Sequence, residues 1–394
     1  MTGTSQSGPS RALVGLLAAS CGIIVANIYY AQPLVGLIGP ALGMAPHLAS
    51  LIVSLTQLGY AAGLLLLVPL GDLLETRRLV MVTLAASIPA LLLAGFASNS
   101  GEMLAAGALI GLTSVAVQML VPLAAHLAPE ARRGRVVGNV MSGLLLGILL
   151  ARPVSSVIAA YSSWRVVFFV SAGVMVGMIL LLRATLPVRQ PTLRQGYAVL
   201  LATLFALPFR LPVLRQRAAY QAAAFGCFSL FWTGAPLLLM QQFGYTQRGI
   251  AVFALVGAAG ALAAPIAGRL ADRGYGGPGA GGALVAVALA FVLALAGGVA
   301  HSVALLALAG VVLDAGVQAS LAFGQRIIFV LAPELRSRLN GMFMALFFAG
   351  GAAGSALTSP VLVHFGWSGI CALGVALPLA ALGYFAVASR GQQG

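Results

Sequence analysis

The stretch Leu127–Gly147, LAPEARRGRVVGNVMSGLLLG, returns further along the chain as Leu331–Gly350, LAPELRSRLNGMFMALFFAG. Each copy leads from an arginine-bearing loop into an apolar run. Arg135 recurs as Arg338, Gly138 as Gly341, Met141 as Met344 and Gly147 as Gly350, all at an offset of 203. Further out, Pro33 recurs as Pro236 and Trp164 as Trp367 at the same offset, while the LAPE run returns at 204. A duplication of this size in a membrane protein predicts two bundles that rock against each other around a central site.

The medium follows from composition. The chain is 61% hydrophobic and 7% charged, with a mean hydropathy of +1.04. Soluble domains carry roughly 25% charged residues, so most of this surface is suited to lipid rather than water. The net charge of +14 comes from 21 basic residues, all arginine, against 7 acidic ones. These arginines fall singly or in small clusters between apolar spans, which fits membrane topology better than nucleic-acid binding. Cys21, Cys227 and Cys371 lie far apart inside apolar spans, and His47, His126, His301 and His364 share no ligand spacing. Neither a disulfide framework nor a metal site is expected.

Runs of about 20 apolar residues cross a bilayer as helices. Twelve are expected, at 12–34, 48–70, 79–97, 102–126, 136–159, 165–186, 218–240, 249–270, 280–299, 303–330, 339–362 and 367–388. The first is read as a retained helix rather than a signal peptide, since eleven more spans and no convincing cleavage site follow. The fold class is thus an all-α polytopic membrane protein, with a six-helix bundle over 1–186, a cytoplasmic connector over 187–217 and a second six-helix bundle over 218–394. In the connector, the apolar segment Tyr197–Phe209 is short and flanked by prolines, so it reads as interfacial. With the N-terminus cytoplasmic, 17 of the 21 arginines fall on the cytoplasmic side and only Arg165 and Arg248 on the other. That asymmetry places both termini in the cytoplasm.

Two loops carry a family likeness. Gly268-Arg269-Leu270-Ala271-Asp272-Arg273-Gly274 follows span eight, and Pro69-Leu70-Gly71-Asp72-Leu73-Leu74-Glu75-Thr76-Arg77-Arg78 follows span two. With the repeat and the twelve spans, they resemble the loop signature of the major facilitator superfamily. Asn27-Ile28-Tyr29-Tyr30-Ala31-Gln32-Pro33, the glycine-bearing run Gly143–Pro153 and Arg336–Asn340 are similar to the bacterial drug:proton antiporter and arabinose-efflux-permease-like branch. Where such antiporters carry a GxxxGPxxGG run, this chain reads GILLARPVSS from Gly147, with Ser155-Ser156 in place of the glycine pair. The resemblance implies conformational switch loops at Asp72, Arg77, Arg78, Asp272 and Arg273. It also implies a central cavity lined by spans one, four, seven and ten.

A substrate or proton site need not obey the duplication, so its failures are informative. Asp314 has no acidic counterpart in the first half and is the only carboxylate well inside a span. It sits roughly 16 Å into span ten at 1.5 Å per residue, a depth at which an ionisable group is a functional candidate by default. Gln318 and Gln325 lie within about 40° of it around the helix, a polar stripe that should face a cavity or the other half. Arg152, deep in span five, aligns with Ser355. It is a candidate to bind an anionic substrate, to pair with Asp314 or to meet a helix-end carbonyl. Arg326 lies close enough to a loop to reach the interface by snorkelling. Asn27, Tyr30, Gln118, Gln221, Phe225, Phe228 and Trp232 are expected to line the cavity, with Ser54 and Gln57 nearby, an aromatic wall with a few amides suited to an amphipathic ligand.

The function expected is secondary active transport by alternating access, as proton-coupled efflux of a small amphipathic organic compound. The alternative is proton-coupled transport of a sugar or anionic metabolite, with a membrane sensor or polytopic enzyme as remote options. No GxxxxGK[ST] run, HExxH or intramembrane carboxylate pair is present, so neither ATP-driven transport nor catalysis is indicated. No cofactor or catalytic residue is expected, and the proton gradient supplies the energy. The expected setting is the bacterial cytoplasmic membrane, with a small-molecule substrate and the lipid bilayer as partners, no nucleic acid, and a monomeric state.

Overall fold

The computed structural model describes residues 9–188, 196–331 and 335–390, without the side chains of 131, 258, 261, 262, 264, 265, 271, 272 and 388–390. Every regular element among the described residues is helical. Among the same residues, nine helices are long and apolar enough to cross a membrane. One of them, Arg336–Arg390, is two spans joined at Gly366, whose φ of 63° lies in the left-handed region that glycine enters freely. Spans one and eight are interrupted, which leaves their pieces short. With these allowances the architecture is consistent with twelve crossings.

The interruptions follow from sequence. Span one, expected as a continuous helix over 12–34, is helical over Arg11–Ala26 and then passes through turns into a 3-10 segment at Gln32–Leu34. Pro33 has no N–H to continue the ladder. Span eight runs as Gln247–Val256, a 3-10 stretch Gly257–Leu262 and Ala263–Asp272. Span seven starts earlier than expected, at Pro212 rather than 218, because proline suits the first turn of a helix, where its missing N–H costs nothing. The last residues assigned to the connector therefore belong to this span. Among the described residues of the connector, Tyr197–Arg210 forms a helix, with Leu200, Leu204 and Leu207 buried and Val199, Phe205 and Phe209 exposed. Tyr197 donates its hydroxyl to the Leu66 carbonyl at 2.7 Å, tying this helix to the first half.

Within the first half, span one packs on span five, span two on span four and span three on span six; within the second, span seven packs on span eleven and span nine on spans ten and twelve. Between halves, span two meets span eleven, and span five meets the first part of span eight. Glycine permits the closest approaches. A Cβ on Gly147 would fall 2.1 Å from the Gly22 oxygen, and one on Gly143 2.3 Å from the Ala18 oxygen. In the second half, Gly354 meets Gly226 and Gly350 meets Ala222 in the same way, at 2.0 and 2.3 Å. By contact, then, Gly350 matches Gly143 rather than Gly147. Span eleven is slid about one helical turn from the register read in sequence, and Arg152 corresponds to Ser359 rather than Ser355. Either counterpart is uncharged.

Gly147→Val is expected to overpack spans one and five, at a cost of about 1–3 kcal/mol. The readout is a lower melting temperature in detergent. Gly138→Val is the control, since a Cβ there meets nothing within 4 Å. Equal melting of the two variants would show that the close approach does not hold the half together.

Candidate functional site

Between the halves lies a cavity of about 690 Å³. Tyr29, Tyr60, Gln118 and Arg152 form part of its wall from the first half, and Phe225, Phe228, Asp314, Gln318 and Gln325 from the second. It runs from Arg152 and Asp314 toward Arg336, Ser337 and Asn340 at the start of span eleven. It therefore reaches the arginine-rich end of the molecule.

The opposite end is closed by neutral hydrogen bonds between halves. Ser50 and Ser359 bond reciprocally, each backbone N–H to the other's hydroxyl at 3.1 Å. The Ser54 and Ser355 hydroxyls meet at 3.0 Å. Gln57 donates to the Ser229 hydroxyl at 2.9 Å, and Gln32 to that of Thr233 at 3.4 Å. On span two, Ser50, Ser54 and Gln57 fall at i, i+4 and i+7, so they share one face. Each neutral bond contributes about 0.5–1.5 kcal/mol, a scale at which a seam holds and can still part.

At the deep end, three residues from three spans form one unit. Trp232 donates its indole N–H to Asp314 Oδ1 at 2.7 Å. The Arg152 guanidinium lies 4.2 Å from the Trp232 ring centroid and 4.9 Å from that of Phe228. All three residues are buried, Arg152 at 2% and Asp314 at 4% exposure. A cation over desolvated rings gains about 2 kcal/mol. Trp232 thus links the basic group of the first half to the acid of the second. The glycines of span eight make the room: a Cβ on Gly257 would lie 2.5 Å from Trp232 Cζ2, and one on Gly260 2.5 Å from Asp314 Cβ.

Aromatic rings continue the wall. Phe225 stacks on Phe347 at 3.8 Å and on Phe228 at 5.1 Å. Tyr60 meets Phe348 across the two halves at 4.5 Å. The polar stripe of span ten turns to the cavity, with Gln325 donating to Asn340 Oδ1 of span eleven at 3.1 Å.

Several residues expected on the wall lie elsewhere. Asn27 is turned to span six, where its Oδ1 accepts from the Ser171 hydroxyl at 2.5 Å. Tyr30 packs against the core, and Tyr29 takes the cavity position, because the chain unwinds there and helical phase no longer applies. Gln221 is fully buried off the wall, with both amide atoms lacking partners. Trp232 sits beneath Arg152 and Asp314 rather than along the open cavity. Ser54 and Gln57 belong to the seam. At the arginine-rich end, Arg77 donates to the Arg183 carbonyl within its own half, Asp72 is partly buried, and Arg78 and Arg273 are exposed. Arg326 is also exposed, as snorkelling to the interface requires. The Asp272 side chain, Arg189 and Arg194 of the connector, and Ala332–Glu334 of the repeated LAPE run lie outside the described residues.

Sequence reasoning missed Phe347, Phe348, Tyr60, Ser50, Ser359 and the Gly257/Gly260 pair. The FF dipeptide is visible in the chain, and the two glycines bracket a helix break. What they face depends on a neighbouring span.

Residues 15–301 match the family model of the Major Facilitator Superfamily. An "Uncharacterized transporter YgaY" of Escherichia coli O157:H7 is 40% identical over 372 residues, covering 94% of each chain. A "Probable transporter SCO4007" of Streptomyces coelicolor is 36% identical, covering 98% of this chain and 90% of the relative. Among solved structures, a point mutant of the nucleoside transporter NupG superposes with a TM-score of 0.74 at 13% identity, covering 95% and 99% of the two chains. A bacterial homolog of the human lysosomal transporter Spinster, in an inward-facing occupied conformation, gives 0.74 at 13% identity over 96% of each. At these identities the structures speak for the fold alone.

Proposed function

The chain belongs to the major facilitator superfamily, and on that premise we propose that it exports a small amphipathic organic compound by alternating access, coupled to protons through Asp314. It is a multi-pass membrane transport protein rather than an enzyme. The observation that carries the proposal is the bond from Trp232 to Asp314, with Arg152 of the other half resting on the same indole. An ionised carboxylate accepts a stronger hydrogen bond than a neutral one. Protonating Asp314 weakens its hold on Trp232, and the change reaches Arg152 across the divide between halves. A proton thereby biases one arrangement over the other.

In this reading residues 1–186 and 212–394 rock as two bodies joined by the connector that ends where span seven begins at Pro212. The arginine-rich end faces the cytoplasm of a bacterial cell, both termini lie there, and the state described is inward-facing with the hydroxyl seam closed outside. Asp72 with Arg77 and Arg78, and Asp272 with Arg273, serve as loop contacts that differ between states. The protein acts as a monomer and takes its energy from the proton gradient. Export follows the likeness to the drug:proton antiporter branch, and the aromatic wall suits an amphipathic cargo. A second reading, transport of an anionic metabolite, is favoured by Arg152 on the same wall.

Purified protein in liposomes holding a pH-sensitive dye tests the proposal. A cargo compound should move protons with it under an imposed gradient. If no compound in a broad panel moves under the gradient, and Asp314→Asn changes nothing, proton-coupled transport is excluded.

A further inference from the structure

We propose that the cargo bears an anionic group of the carboxylate type, gripped by Arg152 while its apolar body lies along Phe225, Phe228 and Phe347. The proposal rests on the transporter reading above and adds the chemical class of the cargo.

Arg152 is almost fully buried, yet its Nε has no hydrogen-bond partner. The Trp232 and Phe228 rings lie against its guanidinium, and the charge of Asp314 and the hydroxyl of Tyr29 act on it from the same cavity wall. A guanidinium carries five N–H donors in a planar fork. Ring faces offset part of its charge but do not supply the in-plane acceptors that the fork is shaped for. The nearby carboxylate, Asp314, is engaged at Oδ1 by the indole N–H. A buried cation short of acceptors costs several kcal/mol, and its place in the other half is taken by an uncharged serine. The fold therefore maintains a costly basic group on a cavity wall, attracted by the charge of Asp314 but with no acceptor at its buried Nε.

A carboxylate presents two oxygens in the geometry that a guanidinium fork matches. A neutral polyol would accept from the fork and leave its charge, and an ammonium, drawn to Asp314 on the same wall, has no acceptor to offer Arg152. The stacked rings beside it add an apolar surface. A cavity of about 690 Å³ holds a body the size of a drug-like molecule. The combination selects an amphipathic organic acid.

Three probes share one apolar body: 4-phenylbutyrate, 4-phenylbutyramide and 4-phenylbutylamine. Each is titrated against the detergent-solubilised protein while melting temperature is followed, since a ligand that binds the folded state raises it. The carboxylate should stabilise the protein and the amide and amine should not. Arg152→Gln should weaken carboxylate binding about 10- to 100-fold, while Arg152→Lys, which keeps the charge and loses the fork, should lose less. If Arg152→Gln fails to fold, the Lys variant and the three probes on the unaltered protein still decide. Equal stabilisation by amide or amine, no stabilisation by the carboxylate at millimolar concentration, or full carboxylate binding without the arginine would overturn the assignment. Binding is measured without a gradient, so failure of proton coupling in liposomes would leave this result standing, and the reverse also holds.

Discussion

Asp314→Asn is expected to abolish the response of transport to a pH gradient while leaving the fold intact. Asn has nearly the same shape, and its Oδ1 can still accept the Trp232 N–H that Asp314 accepts at 2.7 Å. What it loses is the ability to take up and release a proton. In the unaltered protein, acid outside should drive cargo outward as protons load onto Asp314 from that side and leave on the other. In the variant the gradient should have no purchase, with cargo-linked proton flux down on the order of 100-fold, since Asp314 is the ionisable acid at this depth. Downhill exchange of cargo should continue, because the halves can still rock. Melting temperature should change little. Proteoliposomes with internal pH dye, run with and without the gradient, separate these outcomes. Gradient-driven transport surviving in Asp314→Asn would remove that residue from the coupling role.

Pairing Ser54→Cys with Ser355→Cys should lock the molecule under oxidation and release it under reduction. Their hydroxyls already lie 3.0 Å apart across the two halves, so a disulfide of about 2.05 Å needs only a small adjustment. The native Cys21, Cys227 and Cys371 are buried free thiols and are replaced beforehand. A covalent seam removes every state in which this end opens, so transport should fall at least about tenfold and return with reductant. Binding of 4-phenylbutyrate from the open end should persist in the locked form. Cross-linked protein that transports at the full rate would show that this seam does not part during the cycle.

These two experiments draw on different kinds of legibility. Asp314 stood out in the sequence because it is deep, acidic and without a counterpart in the repeat. Those properties belong to one position and its depth. Ser54 and Ser355 are small polar residues of a type common in membrane helices, and nothing in either span marks them as partners. Asn27 shows the converse. Its place near the end of span one suggested a cavity amide, yet the chain unwinds there and the side chain turns to Ser171. Gln221 shared its helical face with Phe225, but a face says nothing about the neighbour that covers it.

The sequence by itself determined the membrane class, the duplication, the approximate places of the spans and the isolation of Asp314 and Arg152. These are properties of composition, periodicity and offset along one chain. Tertiary structure alone decided that Trp232 lies between those two charges, that span eleven is slid one turn from its repeat register, and that serines close one end. The physical reason is that helical phase fixes which residues share a face. The rotation and slide of each helix against its neighbours are set by close packing at glycine contacts such as Gly22 with Gly147, which no single span records.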